Sequence, residues 1–236
     1  MSDDAVTVGV VAEGPTDHAV FEQVAQALTS DELHVLPIQP EASDSFGGFG
    51  EHGSGWKGVR SWCKNIIAES GGVSAYVTAG FGPRIDVLVI HVDADIASDP
   101  EIDKEHPCPP ADRTVSEIRS MVLSWLDLGA LPSYLVLGIP SKSTEAWVLA
   151  ALAARDGRTV AGVECKQDPA RSLTRRPYKW LGTKQGKPHK EQAVYRDELA
   201  PAVTAHWNAV CRMCGEAERF ALEFQSAVAA RPRKGH

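Results

Sequence analysis

Carboxylates recur in this sequence at places where packing gives them no reason to be. Residues 6–12 ("VTVGVVA") form an apolar, β-branched run, and Glu13 follows it at once, at the start of "EGPTD". Residues 85–95 ("IDVLVIHVDAD") form a second such run, and it ends in Asp93 and Asp95. Asp17 closes the first motif. Glu145 comes six residues after Ile139, across the turn "PSKST". An unpaired buried carboxylate is costly, so an acid where a buried strand meets a tight turn either caps the next element or works. Carboxylates gathered at one edge repel each other and call for a cation. Oxygen-only ligands suit hard ions, Mg²⁺ or Mn²⁺, held by one or two carboxylates with water and substrate phosphate completing the shell. Such an ion neutralises charge developing on phosphoryl oxygens and activates a nucleophile. The spacing Asp-x-Asp lets both acids reach one cavity once the strand has ended; within a regular strand they only share a face.

Each acid also has a plainer reading. Asp17 lies just before a helix pattern and can cap it. Asp95 can cap the loop after its strand, and Glu145 can be an ordinary solvent-facing helix residue. Glu13 and Asp93 directly follow buried runs and are harder to dismiss. His91, inside its strand, reads as a buried, hydrogen-bonded histidine more readily than as a ligand. Lys57 and Arg60 can hold phosphate near the site or simply cover a surface. Ser141, Lys142 and Ser143 can bond to the site or to their own turn.

The elements that must position these groups alternate. Buried strands are expected at 6–12, 33–38, 85–95 and 134–139, the second closed by Pro37 and Pro40. Helical apolar faces are expected at 18–28, 56–67, 114–128 and 144–154. Residues 43–58 ("SDSFGGFGEHGSGWKG") read as a mobile glycine-rich loop, and residues 97–113 ("ASDPEIDKEHPCPPADR") as a polar, proline-rich one. A long helical region is expected from about 190 to 230. Strands that are apolar throughout, alternating with helices, mean an α/β fold: a mostly parallel sheet with helices on both faces, Rossmann-like in plan. Ligands collect at the carboxyl ends of such strands, where these acids fall. The division expected is a metal-binding domain over residues 1–155, with a basic segment and helical extension over 156–236 packed on it.

"AEGPTD" after the first strand, followed by "VDAD" after a later one, resembles the TOPRIM domain of topoisomerases, primases and the overcoming-lysogenization-defect nucleases. The resemblance covers roughly residues 5–155. It implies Mg²⁺ binding in the service of strand breakage or joining. Glu13 would be a general acid/base or metal ligand, and Asp93 and Asp95 the metal-binding pair. The "EG-x-T-D" form resembles the overcoming-lysogenization-defect branch most, which makes Asp17 a further ligand. "STEAWVLAAL" resembles a box of bacterial TOPRIM-like proteins related to the RloB family, found beside phage-defence systems. That adds Glu145 to the site, with Trp147 packed behind it. The chain departs from the pattern in three ways: its glycine-rich loop with Lys57 is long, it has no obvious topoisomerase tyrosine, and it has no phosphate-binding loop of the Walker type, so any ATPase must be another chain.

The chain has 24 basic and 31 acidic residues, net −7. Between Arg155 and Arg196 lie eleven Lys and Arg against four Asp and Glu, so this segment carries +7 and the remainder −14. Such a division repels polyanions over most of the surface and can hold one at a single place. "RSLTRRPYKWLGTKQGKPHK" mixes cations with Tyr178 and Trp180, the combination that pairs phosphate and stacks bases. Arg175, Arg176, Lys179, Trp180, Lys184 and Lys187, with Lys57, are the nucleic-acid-binding candidates. A solvated lid whose charge balances the acidic body is the plainer alternative. Five scattered cysteines fit free thiols in a reducing cytoplasm, and the lone C-x-x-C at Cys211 and Cys214 fits inert core thiols better than zinc. No apolar run approaches the length of a membrane helix. The leading expectation is a Mg²⁺-dependent nuclease acting on DNA or RNA in the cytoplasm. The rivals are a non-catalytic TOPRIM-like module that partners an ATPase, and a phosphatase using Asp93 as nucleophile, whose motif wants Thr or Val where this chain has Ala97.

Overall fold

The computed structural model describes residues 5–41, 49–79 and 84–231. In chain order the first half runs β1 (Val6–Val11), α1 (Pro15–Leu28), β2 (Leu33–Gln39), α2 (Gly55–Ser70), α3 (Val73–Ala79), β3 (Val87–His91), a 3₁₀ turn (Ala94–Ser98), α4 (Asp112–Trp125), β4 (Leu135–Gly138) and α5 (Glu145–Arg155). The second half runs α6 (Pro169–Leu173), the hairpin strands β5 (Gly182–Lys184) and β6 (Lys187–His189), α7 (Gln192–Val194), a π-helical turn (Tyr195–Leu199), α8 (Ala200–Ala205), α9 (Trp207–Met213) and α10 (Gly215–Ala230).

The main sheet is four-stranded and wholly parallel, in the order β2-β1-β3-β4. Alternation along the strands sends side chains into two cores. Val6, Val8, Val10, Val87, Val89 and Val136 face one core, shared with α1, α5 and the helices α8 to α10. Val11, Leu88, Ile90, Leu135 and Leu137 face the other, shared with α2, α3 and α4. Both faces are therefore covered, the Rossmann-like plan expected of strands with no polar face. The C-terminal helices do not form a core of their own. Tyr195, Leu199, Val203, Trp207, Phe220 and Phe224 are buried in the same cluster as β1 and α5.

Several sequence expectations shift. Pro37 does not close the second strand but lies within β2, opposite Val10; β2 is an edge strand, where a missing N–H is tolerated. α1 begins at Pro15, so Asp17 lies inside the first turn rather than before it. α3 was not anticipated, its short "VSAYVTA" giving too little periodicity. The long C-terminal region is broken into segments, and the basic stretch contains a small antiparallel hairpin. The glycine-rich loop lies outside the described residues over 42–48, and from Gly55 its sequence is already helical. The cysteines are not all free. Cys108 and Cys165 form a disulfide, with Cα atoms 5.2 Å apart, joining the proline-rich loop to the segment after α5 by a proximity that sequence spacing does not reveal. Cys63, Cys211 and Cys214 are free thiols. Among the described residues no helix is long and apolar enough to cross a membrane.

Candidate functional site at the carboxyl edge of the sheet

Glu13, Asp93 and Thr144 stand just past the ends of β1, β3 and β4, three neighbouring strands running the same way. That common direction brings residues far apart in sequence to one edge. Glu13 is tied to Asp93 directly: the Asp93 backbone N–H donates to Glu13 Oε1 at 2.8 Å. The Glu13 carbonyl accepts the Gly55 N–H at 2.8 Å, placing the start of α2 beside it. Asp17 and Asp93 are both buried and both held by Thr144. The Thr144 hydroxyl donates to Asp17 Oδ1 at 2.7 Å, and its N–H donates to Asp93 Oδ1 at 3.2 Å. Asp17 thus faces inward from the first turn of α1, and no side chain caps that helix. Asp95 lies in the 3₁₀ turn, exposed, with its N–H donating to the Lys142 carbonyl at 3.3 Å.

His91 is fully buried beneath the acids. Its Nδ1 lies 2.9 Å from the Gly138 carbonyl, which can only accept, so Nδ1 carries a proton. Its Nε2 points between Asp17 Oδ1 at 3.7 Å and Asp93 Oδ1 at 3.5 Å. The hydrogen-bonded histidine expected from sequence is what the structure holds, with one nitrogen turned toward the site.

Glu145 is the most enclosed acid, at 0 % exposure. Ser143 Oγ donates to its Oε2 at 2.6 Å, Tyr195 OH donates to its Oε1 at 2.6 Å, and Lys190 Nζ lies 2.7 Å from Oε1. It is not a solvent-facing helix residue. Trp147 behind it is also fully buried, its ring meeting those of Phe21, Trp207 and Phe220.

The electrostatics follow from this arrangement. Burial is the largest influence on Glu13 and raises it to about 7, against the opposing pull of His91 and the Asp93 N–H. Burial, then Glu13 and Asp17, push Asp93 well above the usual carboxylate range. Asp95 is raised as well: although the residue is exposed, the crowded edge around its carboxyl desolvates it, against the pull of Lys190. For Asp17 burial acts in the same direction but is outweighed by His91, Lys190 and Thr144, so its carboxyl is held below the ordinary range. Burial would lower His91, yet Asp17 and Glu13 outweigh it and raise it. Neighbouring acids pushed apart in this way can divide the work of holding and moving protons.

Glu13 Oε2, Asp17 Oδ2, Asp93 Oδ2 and both oxygens of Asp95 take no protein hydrogen bond among the described residues. This donor set fits a hard cation held by one or two carboxylates and water. It is not a ready-made cage: no group of three or more His, Cys, Asp or Glu among the described residues is arranged to hold a metal.

Sequence reasoning missed Lys190, Tyr195 and Thr144. A polar turn of Ser and Thr between a strand and an acid was a signal for Thr144. Lys190 looks in sequence like any other residue of the basic stretch, and Tyr195 like any helix aromatic. Tyr195 begins the π-helical turn, a distortion that recurs at functional sites.

Arg175, Arg176, Lys179, Lys184 and Lys187 are exposed, and none of them pairs with an acid among the described residues. Trp180 is half-buried, with the Arg155 guanidinium 5.2 Å from its ring centroid, and Tyr178 carries Arg158 at 5.6 Å. These rings are therefore partly covered by the chain's own cations. Lys57 is exposed, stands 5.3 Å from the centroid of Trp56, and pairs with Glu101. No protein-family model, curated protein or solved structure matches the chain.

Proposed function

We propose that the chain is a divalent-cation-dependent phosphodiesterase of TOPRIM type, acting on DNA or RNA. One observation carries the reading. Lys190 follows β6 immediately, and its ammonium lies 2.7 Å from Glu145 Oε1, so the basic hairpin bearing Lys184 and Lys187 is joined to the acidic edge through this residue. A phosphate chain lying along the hairpin meets the carboxylates where the hairpin ends.

Within this reading Asp93 and Asp95 would supply carboxylate oxygens to Mg²⁺ or Mn²⁺, with water and substrate phosphate completing the shell and Asp17 as the ionised acid beneath them. When bound, such an ion neutralises phosphoryl charge and lowers the pKa of a coordinated water. Glu13, at about 7, exchanges a proton near neutral pH at its free Oε2. Glu145 acts through Lys190: held by Ser143 and Tyr195, it fixes the ammonium, which would pair with a non-bridging phosphate oxygen. Arg175, Arg176, Lys179, Lys184 and Lys187 hold the flanking phosphates without reading bases.

The test is thermal unfolding with Mg²⁺ and with Mn²⁺, on wild type and Asp93→Asn, followed by cleavage assays on single-stranded, duplex and RNA substrates. An ion present at about 100 times its dissociation constant adds about 2.7 kcal/mol of stability. The reading expects that gain in wild type, its loss in Asp93→Asn, and loss of cleavage with Asp93→Ala. A variant that cuts as well as wild type overturns it. A second reading is favoured by the lysine itself: Lys190 already brings positive charge to the acids, as suits a non-catalytic module that binds nucleic acid or a separately encoded ATPase. That alternative expects oligonucleotide binding with no turnover and no response to either ion.

A further inference from the structure

The Cys108–Cys165 disulfide closes a circuit around the acidic edge. From Asp95 the chain runs through the 3₁₀ turn and the proline-rich loop to Cys108. The Lys104 N–H donates to the Ala97 carbonyl at 2.9 Å and the Thr114 hydroxyl to the Pro107 carbonyl at 3.3 Å, pinning this loop at both ends. The disulfide crosses to Cys165. The preceding residue, Glu164, accepts the Ser141 hydroxyl on its carbonyl. Beyond Ser141, the Lys142 carbonyl accepts the Asp95 N–H at 3.3 Å, and the Pro140 carbonyl accepts the Ala94 N–H at 3.0 Å. Asp95 and the 140–144 turn, whose Ser143 and Thr144 orient Glu145, Asp17 and Asp93, are thus held by a loop whose one covalent closure is the disulfide. Glu164 also secures the start of α10, its Oε1 accepting the Glu216 N–H at 2.9 Å.

We propose that this disulfide is a redox-sensitive tether: oxidised, it keeps the acidic edge assembled, and a dithiol reductant loosens it. The consequence for cleavage rests on the function proposed above; the structural claim does not. Cys108 and Cys165 are both only half-buried, within reach of a small thiol. One thiolate of the reductant attacks either sulfur, forming a mixed disulfide and expelling the other cysteine as a thiolate, which takes up a proton. The reductant's second thiol then displaces the remaining cysteine. The dithiol ends as a cyclic disulfide, and the chain gains two electrons and two protons as two thiols. Of the free cysteines, Cys63 and Cys214 are buried and raised above the usual thiol range by that burial, which keeps them out of the exchange.

Amide hydrogen exchange on the full chain, with and without dithiothreitol, tests this, alongside titration of accessible thiols in denaturant. Thiol titration should count three in the oxidised protein and five after reduction. Reduction should speed exchange by about tenfold or more over 93–108 and 140–147, and leave residues 6–11 of β1 unchanged. Cys108→Ser with Cys165→Ser should show the fast pattern without reductant and no further response to it. Cys211→Ser with Cys214→Ser should respond as wild type does. Five thiols before reduction, or exchange over 93–108 and 140–147 that reduction does not change, overturns the tether. Because the readout is amide exchange, inactivity toward nucleic acid leaves this result intact, and a failed tether leaves the proposed activity standing.

Discussion

Replacing Tyr195 with Phe isolates the contact between the C-terminal half and the acidic edge. Tyr195 and Glu145 are both at 0 % exposure, and the hydroxyl donates to Glu145 Oε1 at 2.6 Å. Phe keeps the ring and its packing, so the change removes one short hydrogen bond to a charged group and little else. Such bonds contribute about 1.5–3 kcal/mol. Lys190 and Ser143 still hold Glu145 in the variant, which keeps the loss within that range instead of exposing the full cost of an unpaired buried charge. For a domain of this size each kcal/mol moves Tm by about 2–4 °C, so the variant should melt roughly 3–12 °C below wild type. Burial, then Glu145, raise the phenol far above its ordinary pKa, so it remains a donor at every pH where the protein folds, and the loss should not vary across neutral pH. Urea unfolding followed by circular dichroism gives the free energy directly. A double-mutant cycle with Glu145→Gln should return a coupling of about 0.5–3 kcal/mol. A loss below about 0.5 kcal/mol together with zero coupling would refute the account of Glu145 as the anchor of this edge.

Three further outcomes follow from the structure. Gly138→Ala would place a Cβ 2.5 Å from Phe21 Cε1 and 2.6 Å from Cζ, and Phe21 is fully buried against His91, Trp147 and Phe220, so the variant should lose about 1–3 kcal/mol in denaturant titration; a neutral result would mean the ring can retreat. Burial raises Glu216 to about 7, so between pH 4.5 and 7 the folded state holds a proton that the unfolded state has released, and stability falls as pH rises through that window. Melting curves of Glu216→Gln should show a shallower fall there than wild type, and parallel curves would exclude this group as the cause. Lys184→Glu with Lys187→Glu should weaken oligonucleotide binding and reduce its salt dependence, the log–log slope shrinking by about 0.7–0.9 for each lost phosphate contact. Unchanged titrations would remove the hairpin from the interface.

The sequence by itself determined the features that depend on near neighbours. Uninterrupted β-branched runs specified strands buried on both faces, because such strands find no stable place with one face in water. A 3.6-residue recurrence of apolar positions specified α1, α2, α4 and α5, with ends displaced by at most three residues where caps carried no strong signal. The strand-end positions of Glu13 and Asp93 were legible because an acid ending an apolar run conflicts with burial, and that conflict is local. The tertiary structure alone decided which charges meet. Lys190 and Tyr195 reach Glu145 across 45 and 50 residues of sequence, one just after β6 and the other opening the π-helical turn, and neither stands out by residue type. Cys108 finds Cys165 across 57 residues because two loops cross at the sheet edge, against the expectation of free thiols. Asp17 is held low and Asp93 high though both are aspartates beside the same histidine, because loss of water and the pull of neighbouring charges depend on distance through space, which has no period along the chain.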